Sequence, residues 1–204
     1  GSSLGAKAIY NFLNYKIKKK ITFFENLNLK KENKSKKLNI IISKSGNTLE
    51  TIVNFNLKFN KKDKNIFITE NRNNYLRKLG EKLKSDIIEH KNFIGGRFSV
   101  LSEVGMLPAE LMGLNESKFK QFNNLIAKKT FLNNLIKNVL NTYQFIKNKK
   151  FNSVILNYDS QSEDFFKWYQ QLISESLGKN SKGILPIISN MPKDNHSILQ
   201  LYLS

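Results

Sequence analysis

Residues 41–52 read IISKSGNTLETI, and they hold the residue types most suited to gripping a ligand. An apolar run stops abruptly at Ser43, Lys44, Ser45, Gly46, Asn47 and Thr48, and helix-forming residues follow. Backbone N–H groups at a helix start attract anions, hydroxyls add donors, and glycine lets the backbone come close to a ligand. A phosphate group is the occupant that suits them. The spacing is not that of a Walker loop, because G-x-x-x-x-G-K-[ST] is absent. The alternative is plain N-capping of the helix by Ser45 or Asn47. A second turn of similar character, GSSLGAK, occupies residues 1–7.

Groups able to move protons are few. The only histidines are His90 and His196, and histidine titrates near neutrality. Gln171 and Glu175 are four residues apart in a helical stretch, so they share a face. Arg97 follows Gly95 and Gly96, which let the backbone approach a ligand; alternatively it pairs with Glu103 or Glu110. The scattered histidines and carboxylates lack metal-ligand spacing. No dinucleotide fingerprint is present, so neither a metal nor another cofactor is expected.

These residues need a frame. LNIIIS (38–43), NIFITE (65–70) and SDIIEH (85–90) are apolar runs of strand length, suited to strands buried on both faces. ITFFEN (21–26) reads as a further short strand. Helices are expected through LGAKAIYNFL, from about Asn47, over NNYLRKLGEKL and over MLPAELMGL. A long one is expected from Glu116 to Ile146. NSVILNY (152–158) then reads as a strand, and SEDFFKWYQQLISESLG as a helix with Phe165, Phe166, Tyr169, Leu172 and Ile173 in a stripe. Trp168 and Tyr169 read as packing residues. Alternating strands and helices predict an α/β fold, a three-layer sandwich of a parallel sheet with helices on both faces. The expected division is a first domain over 1–115, a connecting helical segment over 116–148, and the beginning of a second domain over 149–204.

Bulk composition narrows the rest. The chain has 204 residues, 40% of them apolar and 11% aromatic, ample for a buried core. It has no cysteine, hence no disulfide framework, which fits a reducing cytosol. No apolar run approaches the ~20 residues of a membrane span, and no signal-peptide pattern opens the chain. The net charge of +18 points superficially to nucleic acid. The only arginines are Arg72, Arg77 and Arg97, however, and base and phosphate recognition favours arginine forks. The runs KIKKK (16–20) and KKENKSKK (30–37) read as solvated loop charge. Since the chain begins with Gly rather than Met, in the middle of a motif, it reads as an internal piece of a longer protein.

Five stretches then share a resemblance. SKSGNTLET (43–51) looks like the phosphate-binding turn of phosphosugar-binding (SIS) domains. GGRFSVLSEVG (95–105), WYQQLISESLGK (168–179) and DNHSILQLYL (194–203) resemble signatures of one such family, the glucose-6-phosphate (phosphoglucose) isomerases, and GSSLGAK fits its first Gly-Ser turn. They occur in the family's order over nearly the whole chain. The resemblance implies a flavodoxin-like SIS fold followed by the start of a second SIS domain. It implies interconversion of D-glucose 6-phosphate and D-fructose 6-phosphate through an enediolate, in the cytoplasm. Glu175 would be the base between C2 and C1, His196 the ring-opening acid/base, and Arg97 the positive charge near the enediolate. Ser43, Ser45 and Thr48 would hold phosphate, with Lys44 and Thr51 in the same turn. Gly1, Ser2, Gly96 and Gln171 would also line the substrate. Gly46 and Asn47 stand where many family members have bulkier or hydroxyl residues. No family role carries over to His90, which is expected to be structural.

Base, histidine and arginine are expected in one pocket. A homodimer is expected, with the partner chain helping to complete the site, and neither nucleic acid nor membrane as partner. A sugar-phosphate sensor would need the hydroxyl turn but not Glu175, Arg97 and His196 together. The family also carries a C-terminal lysine near the substrate that nothing here matches, and the second sheet reads as cut after one strand and a helix. This piece alone is therefore expected to be inactive.

Overall fold

A computed structural model describes residues 3–27, 36–180 and 183–204. Helix α1 (Ser3–Phe12) comes first, then strand β1 (Leu38–Ile42), helix α2 (Leu49–Lys58), β2 (Lys64–Thr69), α3 (Tyr75–Lys82), β3 (Asp86–Glu89) and α4 (Glu103–Leu111). Beyond them lie α5 (Phe122–Ile126), α6 (Lys129–Lys147), β4 (Asn152–Asn157), α7 (Glu163–Leu177), β5 (Leu185–Asn190) and α8 (Leu199–Leu203). The chain divides into two compact units, residues 1–7 with 17–113, and residues 8–16 with 114–204.

The first unit is built on a parallel sheet ordered β1-β2-β3, flanked by helices as the alternating pattern predicts. Ile41 lies opposite Phe67, and Phe67 opposite Ile87, so these three share one face. Right-handed crossovers send α2 and α3 to the same side of such a sheet. Ile41, Phe67, Phe55 of α2 and Leu76 of α3 form one buried cluster, which Ile52, Leu79 and Ile87 flank. The Phe55 ring meets Phe67 edge-on at 5.5 Å. Ile68 points to the opposite face by strand alternation and is equally inaccessible, so that face is covered too.

In the second unit β4 and β5 pair in parallel from Asn152↔Leu185 to Asn157↔Asn190, and α7 is the crossover between them. Phe165 of α7 packs 6.0 Å from both Phe12 and Trp168. The Asn11 side-chain amide donates to Asp164.

Three sequence expectations need correction. ITFFEN forms no strand. Instead, Glu25 accepts hydrogen bonds from Ser3 Oγ at 3.0 Å and Lys7 Nζ at 2.9 Å, tying this segment to the start of α1. The long helix from Glu116 is broken into a 3-10 turn (Glu116–Gln121), α5 and α6. The last break comes at Lys128, whose backbone is extended. Finally, β5 was not expected; proline within a short run speaks against a strand, yet Pro186 sits in the pairing register opposite Ser153. An outer strand tolerates the missing N–H. Among the described residues, no helix is long and apolar enough to cross a membrane.

Candidate functional site

In a parallel sheet, ligand-binding loops gather at the carboxyl ends of the strands. The turn after β1 sits at that edge. Ser43 is buried, donates its backbone N–H to Ile68 O at 3.1 Å, and shares a 2.7 Å hydroxyl contact with Thr48. Ser45 and Thr48 are exposed. Ser45 Oγ accepts from Asn47 N at 3.3 Å. An open cleft at this edge is lined by Ser43, Lys44, Ser45, Thr48, Glu70 and Gly96, among others.

Two helix starts at this edge differ. That of α3 is saturated: Asn74 Oδ1 accepts from Arg77 N at 2.9 Å, Asn47 Oδ1 from Tyr75 N at 3.0 Å, and Gly46 O from Leu76 N at 3.0 Å. That of α2 has Thr48 at its N-cap with no capping side-chain hydrogen bond. The capping alternative is thereby corrected: neither Ser45 nor Asn47 caps α2, and Asn47 serves α3 instead. Gly46 has φ +68°, and a Cβ there would lie 1.9 Å from Asn74 Oδ1. Its glycine identity is therefore required by the turn and by the α3 cap pressed against it.

Lys44 turns its ammonium toward the loop after β3. Its ammonium donates to Asn92 O at 2.7 Å and Ile94 O at 2.9 Å, and lies 3.5 Å from Glu70 Oε1. Two of its three N–H groups are thus donated to backbone carbonyls of the loop after β3. The loop it grips leads into Gly95, Gly96 and Arg97. Ser99 Oγ donates to Gly96 O at 2.6 Å, and the Arg97 guanidinium lies 5.0 Å from the Phe98 ring centroid. A Cβ on Gly96 would meet nothing within 4 Å, so packing does not demand a glycine there. The structure thus brings Ser43, Lys44, Ser45, Thr48, Gly96 and Arg97 together at one edge of the first unit. Gly1 and Ser2 lie outside the described residues.

Gln171, Glu175 and His196 belong to the second unit. Gln171 Nε2 donates to Glu175 Oε1 at 2.8 Å, the i,i+4 pairing expected from spacing. Gln170, one residue earlier, already reaches Pro186 O at 2.6 Å, near the amino end of β5. Glu175 therefore lies past that amino edge. His196 is exposed and ends a 3-10 turn beyond the carboxyl end of β5. Asp194 fixes this turn by accepting from Ser189 Oγ at 2.8 Å and Asn190 N at 2.7 Å. A six-residue strand spans roughly 20 Å, and this separates the two groups. The expectation that base and histidine share one pocket is corrected for a single chain: a crossover helix runs antiparallel to its strands, so its last turn and the segment after the next strand emerge at opposite ends.

His90 is fully buried, with Nδ1 3.0 Å from Lys91 O. Sequence reasoning missed Glu70, Asn74 and Asp194, which hold the turns in place. The available signal was position, since each lies within five residues of a strand's carboxyl end.

The parallel sheet and its hydroxyl turn define an α/β phosphosugar-domain (SIS) architecture with a second, smaller α/β unit. Residues 1–185 match the family model of phosphoglucose isomerase, and the chain belongs to that family. The glucose-6-phosphate isomerase of Methanocaldococcus jannaschii is 38% identical, with 100% of this chain and 55% of that protein covered. The probable glucose-6-phosphate isomerase of Methanococcus maripaludis is 35% identical over 82% of this chain and 41% of that protein. The chain spans about half the length of these relatives. A hypothetical protein from Thermus thermophilus shares the fold with a TM-score of 0.79 at 24% identity, over 98% of this chain and 54% of that one.

Proposed function

We propose that the full-length protein is an aldose–ketose isomerase of glycolysis and gluconeogenesis, acting on D-glucose 6-phosphate and D-fructose 6-phosphate in the cytoplasm. The observation that carries the reading is the α2 start, which no side chain caps, ringed by Ser43, Ser45 and Thr48. It leaves N–H dipoles and hydroxyls for a phosphate. Gly1 and Ser2 would line the sugar beside it. With the phosphate anchored, Gly96 lets the backbone meet the sugar and Arg97 supplies fixed charge to the enediolate oxygen. Glu175, steadied by Gln171, moves the proton between C2 and C1, and His196 opens the ring.

Because Glu175 and His196 lie at opposite ends of the β4–β5 sheet, we infer that the working site takes its histidine from a second copy of the chain. In the full-length protein, Glu175→Gln should lower turnover and C2 proton exchange with solvent together, by about 10²–10⁴-fold. Glucose 6-phosphate that binds without isomerisation or exchange in the unsubstituted protein would instead mark a sugar-phosphate sensor. Mixed and reassorted with inactive His196→Ala protein, Glu175→Gln protein should regain about a quarter of wild-type activity, since half the dimers then carry one intact site of two. No recovery would refute the shared site.

A further inference from the structure

We propose that Lys44 is a positioning residue rather than a phosphate ligand. Its ammonium, anchored by the buried Glu70 carboxylate, clamps the Asn92–Ile94 backbone and so sets where Gly96 and Arg97 meet the substrate. The inference rests on the isomerase reading and deepens it.

The clamp joins the carboxyl ends of all three strands of the first unit. Lys44 follows the end of β1 by two residues. Its carbonyl accepts from Glu70 N at 3.1 Å and Thr69 Oγ1 at 3.3 Å, both from the end of β2. Its ammonium reaches past β3 to Asn92 O and Ile94 O at 2.7 and 2.9 Å. Glu70 is only 3% exposed. One of its oxygens lies 3.5 Å from Lys44 Nζ and the other 2.5 Å from Arg72 Nη2. A carboxylate so buried is stable only with its cations in place, which holds Lys44 over the loop. The loop itself is exposed from Lys91 to Phe93. Its internal turn is the bond from Ile94 N to Lys91 O at 3.1 Å. Arg97 follows three residues later. Two of the ammonium's three N–H groups are spent on loop carbonyls, and the Glu70 carboxylate holds its charge beside them.

The test uses Lys44→Met and Glu70→Gln in the full-length enzyme. It reads kcat, KM for glucose 6-phosphate, and the inhibition constant of inorganic phosphate. Lys44→Met keeps the backbone N–H groups of the turn. The phosphate inhibition constant should therefore stay within about twofold while kcat falls about 10–100-fold, the scale of a catalytic group displaced by about 1 Å. Glu70→Gln is close to isosteric, tolerates folding better, and should show the same split more weakly. If Glu70 acts through Lys44, the double variant should be no worse than Lys44→Met alone. Weakened phosphate inhibition with kcat preserved would make Lys44 a phosphate ligand and overturn the proposal. Equal losses in both, or no change in either, would overturn it as well. If the unsubstituted enzyme does not isomerise the substrate, the isomerase reading falls; if it does and the variants retain kcat, only the clamp falls.

Discussion

Replacing Gly96 by alanine separates what the fold needs from what a substrate needs. Gly96 opens the 3-10 turn Gly96–Leu101 and is not among the glycines with positive φ. An added Cβ meets no protein atom within 4 Å. On these grounds alone Gly96→Ala should be neutral or should stabilise the fold by about 0.4–1 kcal/mol, by restricting the unfolded chain. If the space beside Gly96 belongs to the sugar, the methyl intrudes on the bound substrate. Overpacking of that size costs about 1–3 kcal/mol. At 1.4 kcal/mol per tenfold, this is roughly a 5–150-fold loss in kcat/KM. The assay pairs a thermal melt with coupled detection of fructose 6-phosphate in the full-length protein. An unchanged or raised Tm with kcat/KM reduced in that range is the expected result. A variant that melts normally and turns over within about twofold of wild type would refute the placement of substrate against this backbone.

Ser45→Ala combined with Thr48→Ala should weaken binding of glucose 6-phosphate by about 1.5–3 kcal/mol for each lost bond to a charged oxygen. Binding of unphosphorylated glucose should barely change, and calorimetric titration of both ligands distinguishes the cases. Asn74→Ala removes the α3 cap and the contact that seats Gly46, and should cost about 1 kcal/mol or more in urea unfolding. The hydrogen bonds from Ser162 Oγ and Gln161 N hold the Asp159 carboxyl below its usual range. Its folded-state pKa is thus depressed, so its stabilising contribution is present above the unfolded value near 3.9 and fades as pH falls through the folded one. Melting curves of wild type and Asp159→Asn should differ above about pH 3.9 and converge as pH falls through the depressed folded-state value.

The three strands of the first sheet were legible because a strand covered on both faces carries consecutive apolar residues, as Ile40–Ile42 and Ile66–Ile68 do. The same logic misread ITFFEN, because composition does not say whether a neighbouring strand is there to pair with. The opposite error hid β5, where Pro186 masks a strand whose partner is fixed by register with β4. The turn from β1 into α2 was legible as a loop because its signal is local. The partners of Lys44 were not: its contacts with Asn92 and Ile94 come from 48 and 50 residues away. The separation of Glu175 from His196 follows from crossover geometry, but only once β5 is known to lie between them.

The contrast between the two helix starts also gives Gly46 and Asn47 a structural task. Gly46 and Asn47 spend their polar groups on α3: one offers a carbonyl to Leu76, the other a side-chain oxygen to Tyr75. Both bonds go to the first turn of α3, and Gly46 also leaves room for Asn74, the α3 cap. Ser43, Ser45 and Thr48 bond within the turn but leave the α2 start without a side-chain cap. An anion arriving there would take the place that a capping side chain holds elsewhere, and binding would be favoured because its desolvation is offset by donors already aligned. If the protein is the isomerase proposed, positions 43, 45 and 48 are the ones available to phosphate, while Gly46 and Asn47 hold the scaffold.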